Sequence, residues 1–309
     1  MKVLAVLASG RKQGYTATLL REAIKGVKSI EDVQVEAINL HDFSFGSCNS
    51  CFNCIRDSEH RCTLNDDFGR KGKGELFQKV QEANGLLIAD PVHHWGPSAQ
   101  THLFFERCYP FLWSGELNGI PFASISCASN QGMQLLAHRN LCKWAFCYSM
   151  RYIGGLPAHT AYFRRALRDA RTLGQQLGEA TLKDAREGRR KLTDNERFHY
   201  YLNKPWRVLE PYFENLSNGS FCWESSLIAE AISEKSFSKS EALELLEKAG
   251  VEFQKALRYY QSQDYDKAIE YLVKASAFWT HATWKEFLEQ QVIKAKIPKT
   301  YRPLKEGGN

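Results

Sequence analysis

Four cysteines in the first third of the chain stand close together: Cys48-Asn-Ser-Cys51-Phe-Asn-Cys54, then seven residues, then Cys62. Thiolates at this spacing direct successive sulfurs toward one centre. CxxCxxC supplies three ligands from one compact loop, which suits the corners of a cubane iron–sulfur cluster, with Cys62 as the fourth. Zinc also accepts four cysteines, but usually from two separated CxxC knuckles, so the even spacing favours iron. The intervening residues are polar (Asn49, Ser50, Asn53, Arg56, Asp57), a poor setting for ordinary core thiols. Arg56, His60 and Arg61 lie in the same loop, where positive charge would offset the thiolates and raise the potential of a cluster. Cysteines 108, 127, 142, 147 and 222 show no ligand spacing and read as buried thiols.

Three other segments carry binding chemistry. Ser9-Gly-Arg11-Lys-Gln-Gly14-Tyr15-Thr16 joins an apolar run to a helical pattern. Backbone N–H groups and the helix dipole at such a junction bind phosphate. Ser9 and Thr16 add hydroxyls there and Arg11 adds charge. The segment is neither the GxGxxG fingerprint nor the GxxxxGKS/T loop, and an N-capped turn with solvent-facing basic residues explains it as well. Pro91-Val92-His93-His94-Trp95-Gly96-Pro97-Ser98 is a rigid, aromatic loop able to lie along a planar ring. Adjacent histidines on a loop seldom share one ion, and no carboxylate clusters with them, so ring contact is preferred to metal. His93 and His94 are the only side chains there able to donate a proton near neutral pH, and no residue is assigned as a catalytic acid or base. Cys127-Ala-Ser129-Asn130-Gln-Gly132 is small and polar and allows close approach of backbone to a ligand.

These segments need a scaffold that brings them together. KVLAVLAS (2–9), VQVEAINL (33–40), GLLIADPV (85–92), PFASISCA (121–128) and MRYIGGLP (150–157) read as five strands, and 16–27, 75–83 and 164–185 as helices. The alternation predicts an α/β fold: a doubly wound parallel sheet of flavodoxin-like order 2-1-3-4-5, with ligands beyond the carboxyl ends of the strands. The cysteine-rich loop (43–66) follows strand two. A boundary near KDAREGRRK (183–191) divides the chain into domains 1–190 and 191–309, the second an all-helical extension. Ser238 with Glu241 reads as a capping box. Residues 241–279 resemble one tetratricopeptide unit, through Ala256, Tyr259, Tyr265, Ala268, Tyr271 and Ala275. A helical hairpin packed on its own domain or on a dimer mate is the plainer explanation, since a single repeat cannot bury its own face.

The chain has 309 residues, 43% hydrophobic and 25% charged, as in ordinary globular proteins. A net charge of +6 suits an anionic cofactor or redox partner and does not call for nucleic acid. No stretch approaches the roughly 18–20 continuous apolar residues that span a bilayer, and Val3–Ala8 is too short for the core of a signal peptide. A cytoplasmic protein without a membrane span is expected. Its nine cysteines would stay reduced there, so clustered ones point to metal.

The order of SxRxxGxT after strand one, CxxCxxC…C after strand two, PVHHW after strand three and a Gly-containing loop after strand four resembles the iron–sulfur flavoproteins of the flavodoxin-like NADPH-dependent FMN reductase family. The resemblance covers roughly residues 1–185. It implies FMN, with Ser9, Arg11, Gly14, Tyr15 and Thr16 at the phosphate. Pro91, Val92, His93, His94, Trp95 and Gly96, with Cys127, Ser129, Asn130 and Gly132, would flank the isoalloxazine. It also implies a 4Fe–4S cluster on Cys48, Cys51, Cys54 and Cys62, often beside the flavin of a neighbouring subunit in a homo-oligomer. Tyr15 stands where the family usually has Asn or Ser, and His93 where Tyr is common. The implied function is an electron-transfer oxidoreductase coupling FMN to the cluster, with a ferredoxin-like protein, NAD(P)H or a quinone-type acceptor as redox partner. Two other readings stay open. One is an NAD(P)H-dependent FMN or quinone reductase without an iron–sulfur cluster; the other is a redox-sensing scaffold that binds a protein through its helical C-terminal region.

Overall fold

The computed structural model describes residues 1–294. The part of the expected extension from 295 to 309 lies outside the described residues. Five strands, β1 (Lys2–Leu7), β2 (Gln34–Asn39), β3 (Gly85–Pro91), β4 (Pro121–Ala128) and β5 (Arg151–His159), form one sheet of order β2-β1-β3-β4-β5. Every neighbouring pair is parallel, so the flavodoxin-like order expected from the sequence is the order found.

Helices α1 (Tyr15–Lys28), α2 (Asn53–Arg56), α3 (Glu75–Gln81), α4 (Ala99–Arg107), α5 (Pro110–Ser114), α6 (Gln134–Cys147) and α7 (Phe163–Glu187) complete this part of the chain. Strands β1, β3 and β4 are almost wholly buried because helices cover both faces of the sheet, whereas the edge strands β2 and β5 are partly exposed or half-buried. Alternate residues of β1 (Val3, Ala5, Leu7) join Leu20, Ala23, Leu173 and Leu177 in the core under α1 and α7. The other face is aromatic: Phe68, Phe104, Phe105 and Phe122 are fully buried, and Phe77 stacks on Phe111 at 4.6 Å. Helices α1 and α7 approach backbone to backbone. A Cβ placed on Gly174 would fall 1.9 Å from the carbonyl oxygen of Ala23, and one on Gly26 2.0 Å from that of Arg171.

Helices α4 and α6 carry the crossovers after β3 and β4, and the periodicity had not singled them out. Each presents a mixed face: α4 buries Thr101 and Arg107 beside Phe104 and Phe105, and α6 buries His138 beside Ala137 and Leu141.

The described chain divides into two compact units at Lys191/Leu192. The second holds α8 (Asp194–Tyr201), α9 (Leu209–Leu216), α10 (Leu227–Ser233), α11 (Ser240–Gln261), α12 (Tyr265–Thr283) and α13 (Glu289–Lys294), with a π-helical turn at Trp284–Leu288. Within it α11 and α12 form an antiparallel hairpin across a three-residue turn at 262–264. The expected Ser238–Glu241 capping box is absent: Lys239 is the N-cap of α11 and makes no side-chain cap bond. Ser238 instead donates its N–H and hydroxyl to Glu286, both at 3.0 Å. The capping box lies at Thr193–Glu196, at the start of α8.

Candidate functional site

The loops after β1, β3 and β4 meet because those strands are adjacent and parallel. The Ala8 N–H donates to the Ala89 carbonyl at 2.9 Å, and the Val92 N–H donates to the Cys127 carbonyl at 2.9 Å. Burial raises the pKa of the Cys127 thiol, and Thr16, at the start of α1, acts against that rise.

In the first loop Ser9 is buried and its hydroxyl accepts the Arg11 N–H at 3.2 Å. Gly14 is the N-cap of α1 in an extended conformation. No side chain caps the helix, and no acidic residue lies in its first turn. Its leading N–H groups therefore lack the usual partner, and with Thr16 and the exposed Arg11 and Tyr15 they fit a phosphate. Thus Ser9, Arg11 and Gly14 lie in one loop that runs directly into Tyr15 and Thr16 in the first turn of α1.

The second loop is a tight turn in which the N–H groups of His93 and Gly96 each donate to the other's carbonyl, at 2.9 and 3.0 Å. His94 and Trp95, at its tip, have φ of 46° and 67°, a left-handed pair that normally belongs to Asn-Gly. Side chains in that region cost about 1–2 kcal/mol each, so the turn is held by its surroundings rather than by its own residues. Trp95 is 57% exposed. In the third loop Asn130, Gly132 and Met133 are left-handed, opening a cavity lined by Gly132, Gln134, Arg139 and His159. The Asn130 carbonyl lies 3.2 Å from His159 Nε2. Sequence reasoning passed over His159, although its place at the carboxyl end of β5 was a signal. Ser129, between these loops, closes the turn by accepting the Gly132 N–H at its carbonyl.

Asp90, at the end of β3, was also missed. It is fully buried, and its carboxylate accepts the N–H of Ser98 at 3.0 Å, the Ser98 hydroxyl at 2.8 Å and the Thr101 hydroxyl. Ser98, the N-cap of α4, also lies 3.3 Å from the carbonyl of Ala8. The carboxylate thus holds the start of α4 against the end of β3, and Ser98 ties that start to the backbone just after β1. Burial raises its pKa to about 6, against the opposing hydroxyl bonds.

The cysteine loop runs past the far end of α4. Cys48, Cys51, Cys54 and Cys62 line one cavity of about 420 Å³, closed by Leu64, Glu106, Arg107, Tyr109 and Pro110. Three non-glycine residues of the loop, Ser50, Phe52 and His60, adopt positive φ, and strain of this kind persists only where the surroundings impose it. Burial, with Cys48, Cys62 and Cys51 nearby, pushes the Cys54 thiol up to about 12. The loop is tied to α4 at both ends: Glu106 accepts the N–H of Cys48, and Arg107 donates to the Gly46 carbonyl at 2.7 Å and to the Cys62 sulfur at 3.5 Å. Arg56 donates to the Cys51 carbonyl and His60 hydrogen-bonds the Cys54 carbonyl, while Arg61 turns away to Asp57. A basic residue from a distant helix, Arg107, is the one the sequence did not offer, and it binds the Cys62 sulfur.

Among the described residues no group of three His, Cys, Asp or Glu side chains is disposed to hold a metal ion. The four cysteines line one cavity, and a multi-iron core spreads its sulfur ligands over its corners. No helix of the described residues is long and apolar enough to cross a membrane.

The family model for NADPH-dependent FMN reductase matches residues 1–162. An iron–sulfur flavoprotein of Methanocaldococcus jannaschii is 30% identical over 155 residues, half of this chain and 76% of the relative. An iron–sulfur flavoprotein of Archaeoglobus fulgidus is 28% identical over 38% of this chain and 50% of its own length. A flavone reductase structure aligns over 63% of this chain and 67% of that one, at 16% identity and a TM-score of 0.46. With more than half its length matched, the chain belongs to the NADPH-dependent FMN reductase family and is a flavin-dependent oxidoreductase.

Proposed function

We propose that this chain binds FMN in the loops after β1, β3 and β4 and a 4Fe–4S cluster in its cysteine cavity, and passes electrons between them. FMN takes two electrons as hydride and releases them singly, while a cluster carries one at a time, so the bound pair would join a two-electron donor to a one-electron partner. The chain's own residues have distinct tasks. The first-turn N–H groups of α1, the hydroxyls of Ser9 and Thr16 and the charge of Arg11 would hold the phosphate. The His93–Gly96 turn and the backbone at Cys127, Ser129, Asn130 and Gly132 would border the ring, with Pro91, Val92 and Trp95 excluding water from it. Cys48, Cys51, Cys54 and Cys62 would be the iron ligands, releasing protons as they bind.

The observation that carries the cluster is the assembly of all four motif cysteines around one cavity. The names of the two relatives agree with it. A second reading, an NAD(P)H-dependent FMN or quinone reductase without a cluster, is favoured by the lack of a metal-holding group among the described residues. A ferredoxin-like protein, NAD(P)H or a quinone-type acceptor is the proposed partner, and a second copy of the chain is the proposed assembly.

Anaerobic purification followed by iron and acid-labile sulfide analysis separates the two readings. The expected result is four iron and four sulfide per chain, a brown absorption beneath the flavin bands, and loss of the iron with retention of FMN in Cys51→Ala. Flavin without iron, even after reconstitution, leaves the plain reductase.

A further inference from the structure

Arg107 donates a hydrogen bond to a motif sulfur, that of Cys62. It is 2% exposed. Its guanidinium meets Asp66 with two bonds, 2.6 and 3.0 Å, donates to Gly46, and lies 5.2 Å from the centre of the Phe68 ring. Burial opposes ionisation of Asp66, but the Arg107 bonds and the Gly69 and Gly46 N–H groups outweigh it and hold its pKa below the ordinary carboxylate value. The pair is neutral overall, so its field at long range is small. What remains is local: an N–H directed at Cys62, with the positive end of the pair toward the cavity.

We infer that Arg107 is a positioning residue that fixes the Cys62 sulfur and raises the reduction potential of the cluster this cavity would hold. The inference rests on the cluster reading above. A single electron delivered by an external reductant such as dithionite increases the negative charge on the ligand sulfurs. No proton need accompany it, because a guanidinium is already fully protonated. A donor aimed at the sulfur stabilises the reduced state more than the oxidised one, and hydrogen bonds to sulfur are among the levers that set cluster potentials. Helix α4 makes the placement rigid: its first turn is locked by Asp90 and its last residue is Arg107.

The test is an anaerobic redox titration of the full-length holoprotein, following cluster and flavin separately by EPR and absorbance. Removing Arg107 alone would strand Asp66 as an uncompensated, largely buried charge and destabilise the fold. The informative variant is therefore Arg107→Met with Asp66→Asn, accompanied by Arg107→Lys. The double variant is expected to shift the cluster's one-electron equilibrium about tenfold toward the oxidised form, about 59 mV more negative, with the flavin midpoint unmoved. Arg107→Lys, which can pair with Asp66 but not also span to the sulfur, is expected to shift it the same way by less. A cluster midpoint equal to wild type in the double variant, or equal displacement of cluster and flavin, overturns the inference. Should the double variant fail to retain iron, Arg107→Lys decides: a negative shift supports the role and a wild-type midpoint overturns it. Wild-type protein without iron removes the cluster reading itself, and this inference with it.

Discussion

Asp90 and His138 are buried groups whose titrations oppose each other. Asp90 releases its proton near 6 in the folded chain and near 3.8 when unfolded. Between those values the folded state binds more protons, so Asp90's contribution to stability falls as pH rises. His138 is held neutral by burial and by Arg139, its pKa lowered from 6.5 to about 4. There the unfolded state binds more protons, and stability rises with pH. Each effect amounts to about 3 kcal/mol at about 1.4 kcal/mol per unit, and across pH 4–6.5 they nearly cancel. Asp90→Asn removes one side of this balance. Unfolding free energies of the variant from urea titration should climb between pH 4 and 6.5 by roughly 3 kcal/mol more than those of wild type; parallel curves would refute the assignment. At this scale the sequence was legible where partners are close in the chain. The cysteine motif names its own members. Ser98 and Thr101 could have pointed back to Asp90. Arg107 could not be found, because Asp66 and Cys62 lie 41 and 45 residues away.

Strands β1, β3 and β4 were readable because each is a buried, mainly apolar run, β2 because apolar and polar residues alternate along it, and α1 and α7 because each has one clean apolar stripe. Helices α4 and α6 escaped because their inward faces carry Thr101, Arg107 and His138, polar groups that break the stripe yet are satisfied inside. The capping box at Ser238 had the right residue types, but Glu286 competes for Ser238 from 48 residues away. The close contact of α1 and α7 gives a test at this scale. Gly174→Ala should gain about 1 kcal/mol of helix propensity. It also places a methyl where the Ala23 carbonyl already is, and backbone cannot rotate aside as a side chain would. The clash outweighs the propensity, and a net loss of about 1–3 kcal/mol in urea unfolding is expected. A variant as stable as wild type would mean that the helices part without cost.

For the molecule as a whole, strand order followed from the alternation of strands and helices together with the right-handed crossover. The left-handed tip of the His-Trp turn did not, since nothing local favours φ above zero at His94 or Trp95. Among the described residues the apolar core beneath α1 and α7 draws only on those between Val3 and Leu182, and the second unit begins at Leu192. Residues 1–191 expressed alone should therefore unfold in one cooperative transition and titrate with FMN like the full chain. A broad, non-cooperative melt would show that this core is incomplete.

The nine residues of α4 set a fixed spacing of about 13 Å between two anchors. A single inserted residue there would turn Arg107 about 100° around the axis and carry it 1.5 Å along it, away from Asp66 and the thiol together. Length variation is therefore tolerable at the tips of the cysteine loop and forbidden between Ser98 and Arg107, so gaps in chains built on this plan should avoid that interval even where the residues themselves change.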